Sequence, residues 1–282
     1  MLRQFLNYCS IEKIYPYKWV NILNSAVFLR AFCRKKVRMI KIYPLREIQY
    51  QVNKSKDFNV VEDLDLVDEA NGYVLTVRPF LVHLKDELIL IDAGYGFHEN
   101  GKSALVERIE EIGFYSTAIT RVLISHLHKD HIGGIGQMIN DQLVTYFPNA
   151  AIYIHEDEMI YTMNLADHTS YNTSILKGLQ YHPQVNYLRG YEGEIIPGVR
   201  YEKVGGHVPH QMVFWIADEE DTVFYGADNL PQLSYLKYDM AFKNDINGKD
   251  AQESRRIWQK QMVDENWTVL FYHGKKTAIK KF

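Results

Sequence analysis

A chain of 282 residues is long for one domain but ordinary for a single α/β sandwich, and 46% hydrophobic content can bury a sizeable core without a second domain. The formal net charge of −3 is unevenly placed: residues 1–38 carry eight Lys or Arg against one acidic residue, Glu12, giving about +7, while the remainder is −10. That acidic remainder disfavours a nucleic-acid partner, and its lack of cysteine excludes a disulfide or a thiolate metal site there.

Residues 1–38 read as a basic appendage. Trp19 to Phe32 is apolar enough to suggest a signal sequence or anchor, but Asn21, Asn24 and Arg30 interrupt it, and Arg34-Lys35-Lys36 follows rather than precedes it. Two readings stay open: a basic segment lying on a membrane surface, or a stretch ahead of a natural start at Met39. Both cysteines, Cys9 and Cys33, fall in this appendage, so the domain at 39–282 suits a reducing, cytoplasmic compartment.

The domain then alternates strands and helices. Strands are expected at Tyr73 to Leu84 and Glu87 to Asp92, joined by the turn Lys85-Asp86. A helix follows in which Leu105, Ile109 and Ile112 share one face, and it stops at Gly113. Thr120 to Ser125 is a short β-branched run that reads as a buried strand. Directly after it come His126, His128, Asp130 and His131, three imidazoles and a carboxylate within six positions, closed by Gly133-Gly134. Neutral imidazole and carboxylate oxygen are ligands that suit zinc and related divalent ions, so the cluster reads as a metal site on a loop at a strand's C-terminal end.

Phe147-Pro-Asn-Ala is a turn before a strand at Ala151 to His155, and Glu156 to Met163 is a short helix, with His155 structural. Three further strands each end on His or Asp: Val199 to Val204 before Gly205-Gly206-His207, Val223 to Asp228, and Trp267 to His273. Asp250 with Glu253 reads as a capping-box-like start to a helix through about Val263. Four strand ends delivering His or Asp to one rim point to a single polynuclear centre.

H-x-H-x-D-H, then Gly-His, then an Asp closing an apolar strand, then a last His near the C-terminus, resembles the ligand order of the metallo-β-lactamase fold superfamily, from about Met39 onward. The resemblance implies a four-layer αββα sandwich with two divalent ions, zinc first and iron or manganese as alternatives. One ion would be held by His126, His128 and His207, the other by Asp130, His131 and His273, and Asp228 would bridge them. Asp92 in Leu90-Ile-Asp-Ala-Gly94 and His210 would stand behind the ligands; Pro209 replaces the family's usual Gly.

The activity so implied is hydrolysis. Two ions about 3.5–4 Å apart can share a hydroxide that attacks a carbonyl, with Asp130 passing a proton to the leaving group. The substrate walls are expected from Tyr171 in the segment His168 to Pro183, and from Tyr235 and Phe242 in the aromatic insert after Asp228. Phe147-Pro-Asn-Ala, Asp228-Asn-Leu-Pro-Gln232 and the helix with Glu253-Ser-Arg-Arg-Ile-Trp are similar to the branch of N-acyl-homoserine lactonases and methyl-parathion-type hydrolases. Those lactonases place a Tyr three residues after the bridging Asp, where this chain has Pro231, and Tyr235 is the candidate to replace its hydroxyl. The expected substrate is a small neutral or apolar ester or lactone. A glyoxalase-II-like thioesterase is the alternative, then an iron-dependent oxidoreductase of the same fold, whose members usually place Glu where His128 stands. Antibiotic hydrolysis is disfavoured because Asp228 is present.

Overall fold

Strands β2 (Phe80–Leu84) and β3 (Glu87–Ile91) form the expected antiparallel hairpin, with Lys85 of its turn in the left-handed region at φ 54°. Their side chains alternate between two apolar environments: Phe80, Val82, Ile89 and Ile91 enter one core, Leu81, Leu88 and Leu90 another. Strands apolar on both faces must be covered on both, and that requirement builds the αββα layering. The computed structural model describes residues 40–53, 58–61, 72–165 and 168–282, and the expectations for residues 1–38 lie outside them.

A six-stranded sheet runs β1 (Ile40–Pro44), β2, β3, β4 (Arg121–Leu123), β5 (Ala151–His155), β6 (Val185–Leu188). The second runs β7 (Glu192–Ile196), β8 (Val199–Lys203), β9 (Met212–Ala217), β10 (Thr222–Tyr225), β11 (Thr268–Leu270), β12 (Ile279–Lys281). The first sheet is antiparallel over β1–β3 and parallel from β3 through β6, while the second is antiparallel except for the parallel pair β10–β11. Parallel neighbours need a crossover, supplied between β3 and β4 by α1 (Ala104–Glu111). Later helices are α2 (Lys129–Ile132), α3 (Glu156–Met163), α4 (Thr173–Gln180), α5 (Ser234–Lys237) and α6 (Gly248–Asp264), the last two lying between β10 and β11. The C-terminal ends of a parallel pair form a natural ligand crevice, and here one pair from each sheet contributes.

Three cores hold the layers. Phe80, Ile89 and Leu123 meet Phe214, Tyr225 and Leu270 between the sheets. Leu105, Ile109, Met159, Leu176 and Leu179 cover the outer face of the first sheet. On the second, Trp258 and Met262 of α6 pack on Phe224, Val269 and Trp267. Full burial of a large apolar side chain contributes about 1.5–3 kcal/mol, whereas exposed ion pairs are typically worth under about 1 kcal/mol. Phe224 therefore does more to seat α6 than the exposed Arg256–Asp239 pair.

Three boundaries differ from expectation. The run Tyr73 to Leu84 is two strands: Gly72–Val77 joins a separate three-stranded sheet with Ile48–Asn53 and Phe58–Val60, and β2 begins only at Phe80. Pro79 explains the break, since it has no N–H for a ladder and restricts Arg78 before it. α1 ends at Glu111, leaving Ile112 36% exposed, while Gly113 takes φ +85° as a helix stop. α6 starts at Gly248, two residues before Asp250, so Asp250 lies in its first turn and its carboxylate bonds the Asn247 side chain instead of capping the helix.

Candidate metal centre

The first cluster is held from behind by Asp92, fully buried and in the left-handed region at φ 54°. Its Oδ1 accepts the Ser125 N–H at 2.7 Å; its Oδ2 accepts the Ser125 hydroxyl and His131 Nδ1, both at 2.8 Å, and the Tyr225 hydroxyl. A strained non-glycine residue is retained where neighbours over-determine it, and here three elements do so. Beyond Ser125 the chain is extended through His128, then turns into the single turn of α2, which swings Asp130 and His131 toward the rim. Gly133 and Gly134 allow the close approach of the loop after β3: a Cβ there would lie 2.0 Å from Tyr95 O and 2.2 Å from Ala93 O.

His126, His128 and His207 form one group with metal-ligating spacing, Asp130, His131 and His273 a second, and His126, His131 and Asp228 a third that links them. His207 Nε2 lies 3.2 Å from His128 Nδ1 and 3.4 Å from Asp228 Oδ2. His273 Nε2 is 3.3 Å from Asp228 Oδ2 and 3.6 Å from Asp130 Oδ2, and His131 Nε2 is 3.4 Å from Asp228 Oδ1. Ligand atoms about 2.1 Å from a tetrahedral centre stand about 3.4 Å apart, so these spacings are polyhedron edges of the right size for zinc. His126 Nε2, His131 Nε2 and Asp228 Oδ1 are buried without a hydrogen-bond partner. Buried polar atoms are rarely left so, and cations held by His126 on one side and His131 on the other, with Asp228 between, would satisfy them.

In four of the five ligand histidines the other ring nitrogen is tied back, His131 to Asp92 as above, which fixes tautomer and orientation. His126 Nδ1 meets Ser125 Oγ at 3.1 Å, and His273 Nδ1–H donates to Thr76 O at 2.8 Å. His207 Nδ1–H donates to Asp245 Oδ1 at 2.9 Å. Tyr272 stacks on His131 at 4.2 Å and donates its hydroxyl to Asp130 O at 2.6 Å.

Electrostatics suits the donor set to a divalent cation. Burial holds the His126 imidazole well below its ordinary range and, with His207, pushes His128 down to about 3, so both offer neutral nitrogens. Burial opposes ionisation of Asp228, but His273 and His131 reverse it and hold the carboxyl well below the usual range. Asp130 is lowered in the same way, burial being outweighed by His131 and His273. Burial alone would lower His131 and His273, yet the carboxylates, Asp228 foremost, raise both.

The other expected residues fall into two sets. The Tyr171 ring lies 4.9 Å from that of His128, beside the centre. Tyr235 and Phe242 stack on each other at 3.8 Å, with the buried Arg255 guanidinium 5.5 and 5.1 Å from their rings. The His210 ring is set against Tyr161 at 5.9 Å rather than against a ligand imidazole. Tyr181, in the expected wall segment, is 85% exposed.

Sequence reasoning missed Asp245, Thr76, Tyr225, Tyr272 and Glu47. Glu47 is buried and accepts the N–H groups of Tyr95 (2.6 Å), Gly96 (2.9 Å) and Phe97 (2.8 Å), clamping the loop that packs on Gly133; burial pushes its carboxyl up to about 7. Tyr225 and Tyr272 stand in the apolar runs before Asp228 and His273, where they read as core. Glu47 binds backbone, which leaves no mark in residue spacing.

An αββα sandwich carrying a His- and Asp-rich centre on one rim defines the class of protein: a layered α/β fold built around a candidate metal site. The family model of the metallo-beta-lactamase superfamily matches residues 72–273, and the chain belongs to that superfamily. The N-acyl homoserine lactonase AiiA of Bacillus thuringiensis subsp. kurstaki is 25% identical over 175 residues, which is 60% of this chain and 60% of the relative's length. An N-acyl homoserine lactonase of a Bacillus species is 24% identical over 173 residues, 60% of this chain and 61% of its own. Among solved structures, a probable metal-dependent hydrolase from Staphylococcus aureus superposes with TM-score 0.73 at 20% identity, covering 87% of this chain and 93% of the other. AidC, a dizinc quorum-quenching lactonase in complex with a product, N-hexanoyl-L-homoserine, superposes with TM-score 0.68 at 22% identity, covering 86% of this chain and 90% of the other. No described helix is long and apolar enough to cross a membrane.

Proposed function

We propose that the chain is a dinuclear hydrolase of a neutral or apolar ester or lactone. The observation that carries this reading is the convergence of seven donor side chains with three orphaned buried atoms aimed at one space. His126, His128 and His207 would hold one ion, Asp130, His131 and His273 the other, with Asp228 facing both groups. When bound, such ions supply Lewis acidity toward a carbonyl oxygen and a means of activating water near neutral pH. Asp130, ionised and within 4 Å of His131 and His273, is placed to take the water's proton and return it to the leaving alkoxide. Tyr171 beside His128 would wall the acyl side, and Tyr235 with Phe242 the other. The relatives' lactone chemistry supports this substrate class.

The test is a panel of lactones, aryl esters, thioesters, phosphotriesters and β-lactams on protein of measured metal content, with oxygen consumption followed in parallel. Two ions per chain and turnover of lactones or esters are expected; one ion at saturating zinc, or activity confined to thioesters or to oxygen, would overturn the reading. Asp130→Asn should lower kcat on the best substrate by about 10²-fold or more with less effect on KM. Near-full turnover with both ions bound would remove Asp130 from proton transfer.

A further inference from the structure

The stretch after α5 does two things at once. Phe242 of this loop stacks on Tyr235, and three residues later the same loop turns inward against the Gly205-Gly206-His207 segment. Ile246 N–H donates to His207 O at 3.1 Å and Asn247 N–H to Gly206 O at 2.8 Å, so the two backbones are laced together. Asp245 lies between those contacts, its side chain only 4% exposed, and its Oδ1 accepts His207 Nδ1–H at 2.9 Å. Its Oδ2 is buried with no hydrogen-bond partner among the described residues. A carboxylate is not placed in such surroundings without a role, because burying an unsatisfied charged oxygen costs stability.

The bond to Asp245 does for His207 what Asp92 does for His131. It commits the proton to Nδ1, leaves the Nε2 lone pair facing His128 Nδ1 and Asp228 Oδ2, and makes that nitrogen a stronger donor. The other support, Asn229 Oδ1 accepting the His207 N–H at 2.8 Å, fixes the backbone but not the ring. Arg255 completes the link. It donates to Met240 O at 2.7 Å and to Asn229 O at 2.8 Å, so one buried guanidinium joins the wall loop to the residue beside Asp228.

We infer that Asp245 is the positioning residue of His207, and that through it the wall loop over residues 238–247 is also the outer support of the first ion's three-imidazole site. This rests on the two-ion reading above. It implies that substitutions in the wall aimed at substrate choice also alter affinity for one ion and spare the other.

The experiment is a chelator-competition titration of zinc resolved into two steps, with His128→Ala identifying the step that belongs to the first ion. Asp245→Ala should weaken that step by about 10–100-fold, the range for loss of a carboxylate behind a metal-bound histidine, and leave the other step unchanged. Asp245→Asn retains an acceptor oxygen at the same place and should fall between wild type and Ala; it also serves if the Ala variant does not fold. Asp239→Ala removes the same loop's exposed bonds to Arg256 and serves as the control for general loosening. Unchanged first-ion affinity in both Asp245 variants, or an equal loss in Asp239→Ala, overturns the assignment. Failure of wild type to bind two ions would instead strike the two-ion reading itself.

Discussion

Glu158 of α3 is 1% exposed; its Oε1 is 3.4 Å from the Leu127 N–H donor, and its Oε2 is buried without a partner. Burial pushes its carboxyl from an ordinary value of 4.5 up to about 7. A carboxyl raised in the folded state is protonated there while the unfolded chain has already released the proton. Folding therefore carries no penalty below about pH 4.5, an increasing one as pH rises, and the whole of it above about pH 7, on the order of 3 kcal/mol. Glu158→Gln cannot ionise. The difference in unfolding free energy between variant and wild type should thus move in the variant's favour by about 1–3 kcal/mol between about pH 5 and about pH 8. Denaturant unfolding of both proteins at saturating zinc measures it, and a flat difference across that range would refute the charge-burial account. Nothing in the sequence set Glu158 apart from the acidic residues beside it in Glu156-Asp157-Glu158. The seven ligand candidates were legible because their spacing is local or because each closes a strand, whereas Asp245 meets His207 across 38 positions of chain with no motif between them.

At the scale of elements, the contact that matters most to the centre is glycine against backbone. Gly133, at φ −60°, needs no special conformation; it is required because a Cβ would stand 2.0 Å from Tyr95 O. Gly113 is the opposite case, with φ +85° and nothing within 4 Å. Two alanine substitutions therefore separate close approach from backbone strain. Gly133→Ala should destabilise by about 2–3 kcal/mol, as overpacking does, and should also weaken the second ion, since the displaced loop is bonded to α2 through Ala93 N–H and His131 O at 2.7 Å. Gly113→Ala should cost about 1–2 kcal/mol from the left-handed conformation and leave both ions bound as in wild type. Unfolding curves with zinc titration decide between them, and unaltered ion binding in Gly133→Ala would show that the loop does not position Asp130 and His131. The sequence marked Gly113 as a helix stop, which it is, and Gly133-Gly134 as the close of the ligand cluster, but not what they lie against. It also read Tyr73 to Leu84 as one strand because both halves are apolar; Pro79, the one local sign of a break, was outvoted by hydropathy.

For the whole molecule, both sheets run in chain order, and the C-terminal ends of β4 and β8, with those of the parallel pair β10–β11, bring the donor side chains to one rim. That arrangement was legible from the alternation of apolar runs with His- or Asp-ending strands, and the additional three-stranded sheet was not, because Gly72–Val77 pairs back with Ile48–Asn53 instead of continuing into β2. The described fold begins with β1 at Ile40, and all three cores and all seven donor side chains lie from that residue onward. The charge of the chain changes sign at the same place, residues 1–38 being about +7 and the rest −10. A protein starting at Met39 should therefore be soluble, bind two ions, and keep kcat/KM on its best panel substrate within about twofold of the full chain, the span of a surface change worth up to about 0.5 kcal/mol. Co-sedimentation with anionic vesicles supplies the second reading: binding by the full chain and not by the shortened protein assigns residues 1–38 to a membrane surface, and binding by neither removes that role. An insoluble or inactive shortened protein beside an active full chain would mean that the first 38 residues belong to the catalytic domain and that the boundary at Met39 is misplaced.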